Sequence, residues 1–134
     1  MEAMDERRVW QRVRGEGTDP VQRLRDCLAR QGVLWNCYRQ LSRRGGKYRQ
    51  LFEQKDNQLA CLRGLLRIRT GQGAARPRVS EGRPDLVHCF TEEQRFLKEL
   101  EQLRRDDDQG CLFEALLDRQ KVQCRVLLEV IGMM

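Results

Sequence analysis

A chain of 134 residues is the size of one domain and can bury a single core. Aromatic residues make up only 6% of it, charged residues 34%, and there are three prolines, so the composition points to an all-α protein with a thoroughly solvated surface. No apolar run is long enough to span a bilayer, and the opening MEAMDERRVWQRVRG lacks the apolar stretch of a signal peptide, which predicts a cytoplasmic protein with no membrane contact.

The first 18 residues are too short for a domain and read as an arm, with Val9, Trp10 and Val13 covering one end of whatever follows or Trp10 docking a partner. Asp19-Pro20 is a helix start signal, with Asp19 as N-cap and Pro20 in the first turn. The first helix runs to about residue 44 on the stripe Leu24, Cys27, Leu28, Leu34, Trp35, Tyr38 and Leu41, and Gly45-Gly46 ends it. The second spans about 47–69, with Leu51, Phe52, Leu59, Leu62, Leu65 and Leu66 at three- and four-residue steps. GQGAARPRVSEGR (71–83) holds three glycines and a proline and reads as a loop. Pro84-Asp85 opens a third helix to about residue 105, facing Leu86, Phe90, Phe96, Leu97, Leu100 and Leu103 inward. DDDQG (106–110) is a turn. A fourth helix, 111–131, buries Phe113, Leu116, Leu117, Cys124, Leu127 and Ile131.

Short links at 45–46 and 106–110 predict two antiparallel hairpins. The middle link of about 13 residues reaches roughly 40 Å when extended, against about 30 Å for a 20-residue helix. It can cross the whole bundle, so residues 19–134 are expected to form a four-helix bundle of two hairpins joined by one long crossover.

Each stripe is interrupted by polar residues: Gln31 in the first helix, Lys55 and Gln58 in the second, Glu93 in the third, Gln120 and Gln123 in the fourth. Counted from the hairpin tips at 1.5 Å per residue, these positions agree in height to within a turn. All four helices therefore bring polar groups to one mid-bundle layer. An isolated buried charge costs several kcal/mol, so Lys55 is expected either to pair with Glu93 across the bundle or to extend outward between helices while Glu93 reaches solvent. Glu53, Asp56, Glu92, Glu114 and Asp118 lie off the stripes and read as solvated surface, with no catalytic set among them.

One polar group from each of two helices and an i, i+3 pair from each of the other two resembles the ferritin-like di-iron bundle, including its long crossover. The segments that carry the likeness are DPVQRLRDCLARQGVLWNCYRQLSRR, YRQLFEQKDNQLACLRGLL, CFTEEQRFLKELEQL and GCLFEALLDRQKVQCRVLLEVIG, and the rubrerythrin-like members look nearest. The resemblance implies a Glu at position 31, Glu-x-x-His at 55 and 58, a Glu at 93 and a second Glu-x-x-His at 120 and 123. The chain has Gln31, Lys55, Gln58, Glu93, Gln120 and Gln123 there, so one of six implied ligands is kept. Neutral amides are poor ligands for ferric iron, and a lysine brings positive charge where metals would sit. A degenerate di-iron site with no metal and no cofactor is therefore expected.

Six cysteines, Cys27, Cys37, Cys61, Cys89, Cys111 and Cys124, are scattered without CxxC pairs, and the single histidine, His88, has only Cys89 beside it. They read as reduced, small apolar fillers rather than a zinc site. Charge is uneven within the overall +6: residues 1–70 hold 16 Lys and Arg against 8 Asp and Glu, residues 71–134 hold 10 against 12. Arginine outnumbers lysine 22 to 4, which suits phosphate recognition or a compositional habit of the source genome.

Three functions fit these residues. The first is a non-catalytic ferritin-like domain that has lost its metals and serves as a scaffold or interaction module for an unknown protein partner. The second is a rubrerythrin-type oxidoreductase or iron-handling protein, which would need Glu93 and further donors such as Cys27 or Cys124. The third is a basic module binding nucleic acid or an acidic partner through Arg23, Arg30, Arg39, Arg43, Arg44, Arg49, Arg63, Arg67 and Arg69. No nucleic-acid-reading motif accompanies those arginines, and the first reading is preferred. The opposite charge of the two halves also suits a homodimer.

Overall fold

In the computed structural model, which describes residues 19–74, 76–79, 85–105 and 110–133, Asp19 starts the first helix by accepting a 2.8 Å hydrogen bond from the Gln22 amide. Pro20 occupies the first turn, where a missing N–H costs nothing. This helix, α1, spans Pro20–Leu41. Its last turn tightens into a 3-10 turn, Ser42–Arg44, and Gly45 and Gly46 supply the positive φ angles (71° and 54°) that reverse the chain. Helix α2 spans Gly46–Thr70 and ends at Gly71 in the left-handed conformation, whose N–H reaches the Arg67 carbonyl at 2.8 Å. Helix α3 spans Leu86–Arg105. Asp85 caps it by accepting from the Val87 and His88 amides. Helix α4 spans Gly110–Gly132. All regular structure among the described residues is helical. The four helices match the expected ones to within two residues at each end, except that α1 ends at Leu41 and the last three expected residues form the 3-10 turn. The expected arm at 1–18, Pro84 and most of the turn after α3 lie outside the described residues.

Packing follows from the stripes. Helix α1 lies against α2 and α3, and α4 lies against α3 and α2. Two apolar clusters hold the bundle. One joins the start of α1 (Leu24, Leu28), the second half of α2 (Leu62, Leu66), the end of α3 (Phe96, Leu103) and the start of α4 (Phe113, Leu117). The other joins the end of α1 (Leu34, Leu41), the start of α2 (Leu51), the start of α3 (Leu86) and the end of α4 (Leu127, Val130). Neighbouring helices are thus antiparallel, and α2 ends at the opposite end of the bundle from where α3 begins. Between them, residues 77 and 78 run along α1: Asn36 Nδ2 donates to the Arg78 carbonyl at 2.6 Å, and the Pro77 ring covers Gly32.

Several stripe positions differ from expectation. Trp35, Phe52, Phe90, Leu97, Cys124 and Ile131 are half-buried, while Asn36, Cys37, Cys89, Val126 and Val130 are buried. In the second half of α1 the deepest line is 34, 37, 38 and 41, spaced i, i+3, i+4, i+7. Trp35 falls beside that line, where its ring meets Phe52 (centroids 5.5 Å apart) and its indole N–H donates to Asp56 at 2.9 Å. Glu92, expected on the solvated surface, is half-buried; Glu53, Asp56, Glu114 and Asp118 are exposed as expected.

Two glycines, one inside α2 and one at its C-terminal cap, should respond in opposite directions. Gly64 lies mid-helix with open space at its missing Cβ, so Gly64→Ala should raise unfolding free energy by about 0.5–1 kcal/mol. Gly71 holds φ 73°, so Gly71→Ala should lower it by about 1–2 kcal/mol. Urea unfolding of both variants reads the pair.

Candidate functional site

Between the two apolar clusters every helix turns a polar side chain inward. Gln31, Lys55, Gln58, Glu93, Gln120 and Gln123 are each 2% exposed or less. Lys55 Nζ donates to Gln31 Oε1 and to Glu93 Oε1, both at 2.6 Å. Its ammonium also lies 4.4 Å from the centroid of the Phe96 ring, within cation–π range. The Lys55–Glu93 ion pair is wholly buried, so Lys55 does not extend outward between helices.

Glu93 is satisfied on both oxygens. Oε1 takes Lys55 and, at 3.1 Å, Gln120 Nε2; Oε2 accepts the Tyr38 hydroxyl at 2.9 Å. Gln120 Nε2 also donates to the Glu93 backbone carbonyl at 2.8 Å, and Gln120 Oε1 accepts from Gln58 Nε2 at 2.9 Å. Five of the six expected positions therefore join one hydrogen-bonded network across all four helices. Gln123 is buried but stands apart from it: Nε2 donates to the Leu51 backbone carbonyl at 3.0 Å, using that oxygen's second lone pair. The Oε1 atoms of Gln58 and Gln123 are buried without a hydrogen-bond partner.

Tyr38 is the member the sequence hid. It sits two turns beyond Gln31 on the same face of α1 and looks like an apolar stripe residue, yet its hydroxyl holds half of the Glu93 carboxylate. Burial, with the Glu93 charge second, pushes the Tyr38 phenol well above its usual value.

The donor set does not suit a metal. The single carboxylate in the layer already accepts from three donors, one of them a cation. The two thiols considered as further ligands are pushed the wrong way. Burial raises Cys27 well above the usual thiol value, Glu99 adding to it, and burial followed by the Glu93 charge raises Cys124 to about 11. Both remain protonated near neutral pH, whereas metal ligation needs thiolate. Among the described residues, no group of three or more His, Cys, Asp or Glu side chains comes together to hold a metal ion.

Two other features stand outside the layer. A groove of about 630 Å³ between α1, α2 and the chain at 73–74 and 76–78 has an apolar floor (Leu28, Leu59) and a rim carrying Arg25, Arg63, Arg76 and Arg78. Near the other end, Cys89 Sγ points at Cys37 Sγ across the α1–α3 seam at 3.2 Å.

No protein-family model matches the chain, and no curated protein and no solved structure matches it either.

Two measurements probe the layer. Lys55→Met or Glu93→Gln alone strands the partner's charge or donors in the core and should cost about 3–5 kcal/mol in urea unfolding. The double variant should cost less than the sum of the singles, since neither orphan remains. Tyr38→Phe deprives Glu93 Oε2 of its donor and should cost about 1–3 kcal/mol at pH 7. Because the folded phenol titrates above the unfolded one, its contribution is complete below the unfolded value near pH 10 and declines above it, by up to about 1.4 kcal/mol per pH unit. The gap between wild type and Tyr38→Phe should therefore narrow as pH rises past about 10.

Proposed function

We propose that this chain is a non-catalytic ferritin-like domain in which a lysine–glutamate pair occupies the level where such bundles hold two metals, and that it serves as a scaffold or interaction module. One observation carries the reading. The centre of the bundle holds a protein cation, Lys55, fixed by Gln31 and Glu93 at 2.6 Å each. That ammonium supplies positive charge where the family relies on iron, and the amides of Gln58 and Gln120 fill the hydrogen-bonding capacity that carboxylates and imidazoles would otherwise provide.

The ferritin-like topology, with its crossover, has separate support. Helices α2 and α3 are consecutive in sequence but are not packed neighbours among the described residues. They run in the same direction, so the end of α2 and the start of α3 lie at opposite ends of the bundle. A simple up-down-up-down bundle would make them antiparallel neighbours.

Metal content tests the reading. Protein purified from iron-supplemented cells should carry far less than one iron per chain and show no ferric-oxo absorption. Stoichiometric iron with that band would establish the rubrerythrin-type alternative instead. Restoring the implied ligands together (Gln31→Glu, Lys55→Glu, Gln58→His, Gln120→Glu, Gln123→His) should create a site that takes up two metal ions per chain, as judged by titration and absorption. A well-folded restored chain that binds none would count against ferritin-like geometry.

A second reading rests on the arginine-rimmed groove, whose charge suits an acidic partner. Its signature is binding of a polyanion that weakens steeply as salt rises. Fluorescence anisotropy with a labelled single-stranded oligonucleotide at graded salt separates the two readings, and no binding at low salt removes the second.

A further inference from the structure

Cys37 and Cys89 are 52 positions apart in sequence and belong to helices that are not consecutive, yet their sulfurs lie 3.2 Å apart. A disulfide needs about 2.05 Å, so the bond requires the sulfurs to approach by little more than 1 Å. The backbones are already held close at this level. Tyr38, next to Cys37, bonds to Glu93, one turn beyond Cys89, at 2.9 Å, and both cysteines belong to the same apolar cluster. None of the other four free cysteines has a sulfur contact of this kind among the described residues.

We propose that Cys37 and Cys89 are a redox-modification site, a dithiol that a hydroperoxide converts into a disulfide stapling α1 to α3. The two sulfurs have unequal environments that assign them roles. The Cys89 thiol donates to Cys37, and the Asp85 backbone at the start of α3 also hydrogen-bonds to Cys37; together these hold the Cys37 thiol below its usual value against the effect of burial. The same bond, with burial, pushes Cys89 up. Cys37 is also the more accessible of the two, 9% exposed against 3%. Cys37 is therefore the nucleophile and Cys89 the resolving thiol.

The chemistry balances in two steps. The Cys37 thiolate attacks the terminal oxygen of the hydroperoxide, forming an S–O bond as the O–O bond breaks, and the leaving alkoxide or hydroxide takes up the proton that Cys37 gave up. The Cys89 sulfur then attacks the Cys37 sulfur of the sulfenic acid. The S–S bond forms, the S–O bond breaks, and the hydroxyl leaves as water with the Cys89 proton. Two thiols lose two electrons, and one peroxide becomes an alcohol (or water) and water. A small dithiol reductant reverses the change.

The test is oxidation of the full chain with graded hydrogen peroxide, followed by blocking of free thiols under denaturing conditions and mass spectrometry of a non-reduced digest. The expected product is a linked peptide joining Cys37 to Cys89 within one chain, lighter than the two separate peptides by two hydrogens and lost on reduction. In urea the same treatment should pair the six cysteines without that preference. In Cys89→Ser the Cys37 sulfenic acid should persist and be trapped by dimedone. The exposed Cys111 serves as the internal control for oxidant delivery. Recovery of Cys37 and Cys89 as free thiols after Cys111 has reacted would overturn the proposal, as would a Cys37 bridged to any other cysteine. The wild-type digest decides this even if Cys89→Ser fails to fold.

Discussion

An ammonium group with no exposed surface dictates much of what surrounds it. Lys55 is too deep to reach water along its own stem, so its charge has to be met inside the bundle. It is met by an amide on α1, a carboxylate on α3 and an aromatic face on α3. Those contacts are directional, which apolar packing is not. A helix slid by one turn moves its side chains about 5.4 Å, enough to break every bond to Nζ while leucines would still meet leucines. The polar layer thus sets the relative heights of α1, α2 and α3, and the Gln58–Gln120 and Gln120–Glu93 bonds bring α4 into the same register. The apolar clusters on either side supply the burial that drives assembly, by about 1.5–3 kcal/mol per buried leucine.

Much of this geometry can be read from the chain because helices are periodic. A polar residue on an otherwise apolar stripe is visible as an interruption, and counting from Gly45-Gly46 and from the 106–110 link converts sequence position into height. That was enough to place Gln31, Lys55, Gln58, Glu93 and Gln120 together. What escaped has specific physical causes. Tyr38 carries its hydroxyl on a body that counts as apolar, so a stripe pattern cannot separate it from phenylalanine. Gln123 finds a backbone carbonyl rather than a side chain, and backbone acceptors have no sequence signature. Asn36 is buried because residue 78 passes over it, and the path of a glycine-rich link is not encoded by periodicity. Cys37 and Cys89 meet across two helices whose pairing depends on topology, so no spacing rule could join them.

The layer balances its own charge. Its formal charge is zero: one ammonium, one carboxylate and four neutral amides. A di-iron site reaches a similar balance by surrounding metal charge with several carboxylates, and its folded state is then linked to metal supply. With Lys55 the positive charge is part of the chain and present whenever the protein is made. The layer does not satisfy every hydrogen-bonding group. Glutamine offers a donor and an acceptor together, and in a layer dominated by the needs of Glu93 the donors are used first. Gln120 spends its amide hydrogens on Glu93, Gln58 donates to Gln120, and Gln123 donates to Leu51. The acceptor ends of Gln58 and Gln123 are left over, each an unmet demand of about 1–3 kcal/mol.

That imbalance has a direction. The layer has unpartnered acceptors on α2 and α4, while the Lys55 ammonium of α2 and the Tyr38 hydroxyl both turn toward Glu93 on α3. Stability is therefore distributed unevenly around the bundle. The α1–α3 seam carries the Tyr38–Glu93 bond, the Arg30–Glu99 ion pair at 2.7 Å and the two facing sulfurs, and Lys55 ties α2 to both of these helices. Between α2 and α4 the polar contacts among the described residues are two amide bonds and the Lys47–Glu129 pair, whose exposure lets solvent screen it. If part of the bundle opens before the whole unfolds, the physics favours separation along α2–α4 with α1 and α3 still joined. A covalent bond between Cys37 and Cys89 would reinforce the seam that is already the stronger one, and so would sharpen that asymmetry rather than remove it.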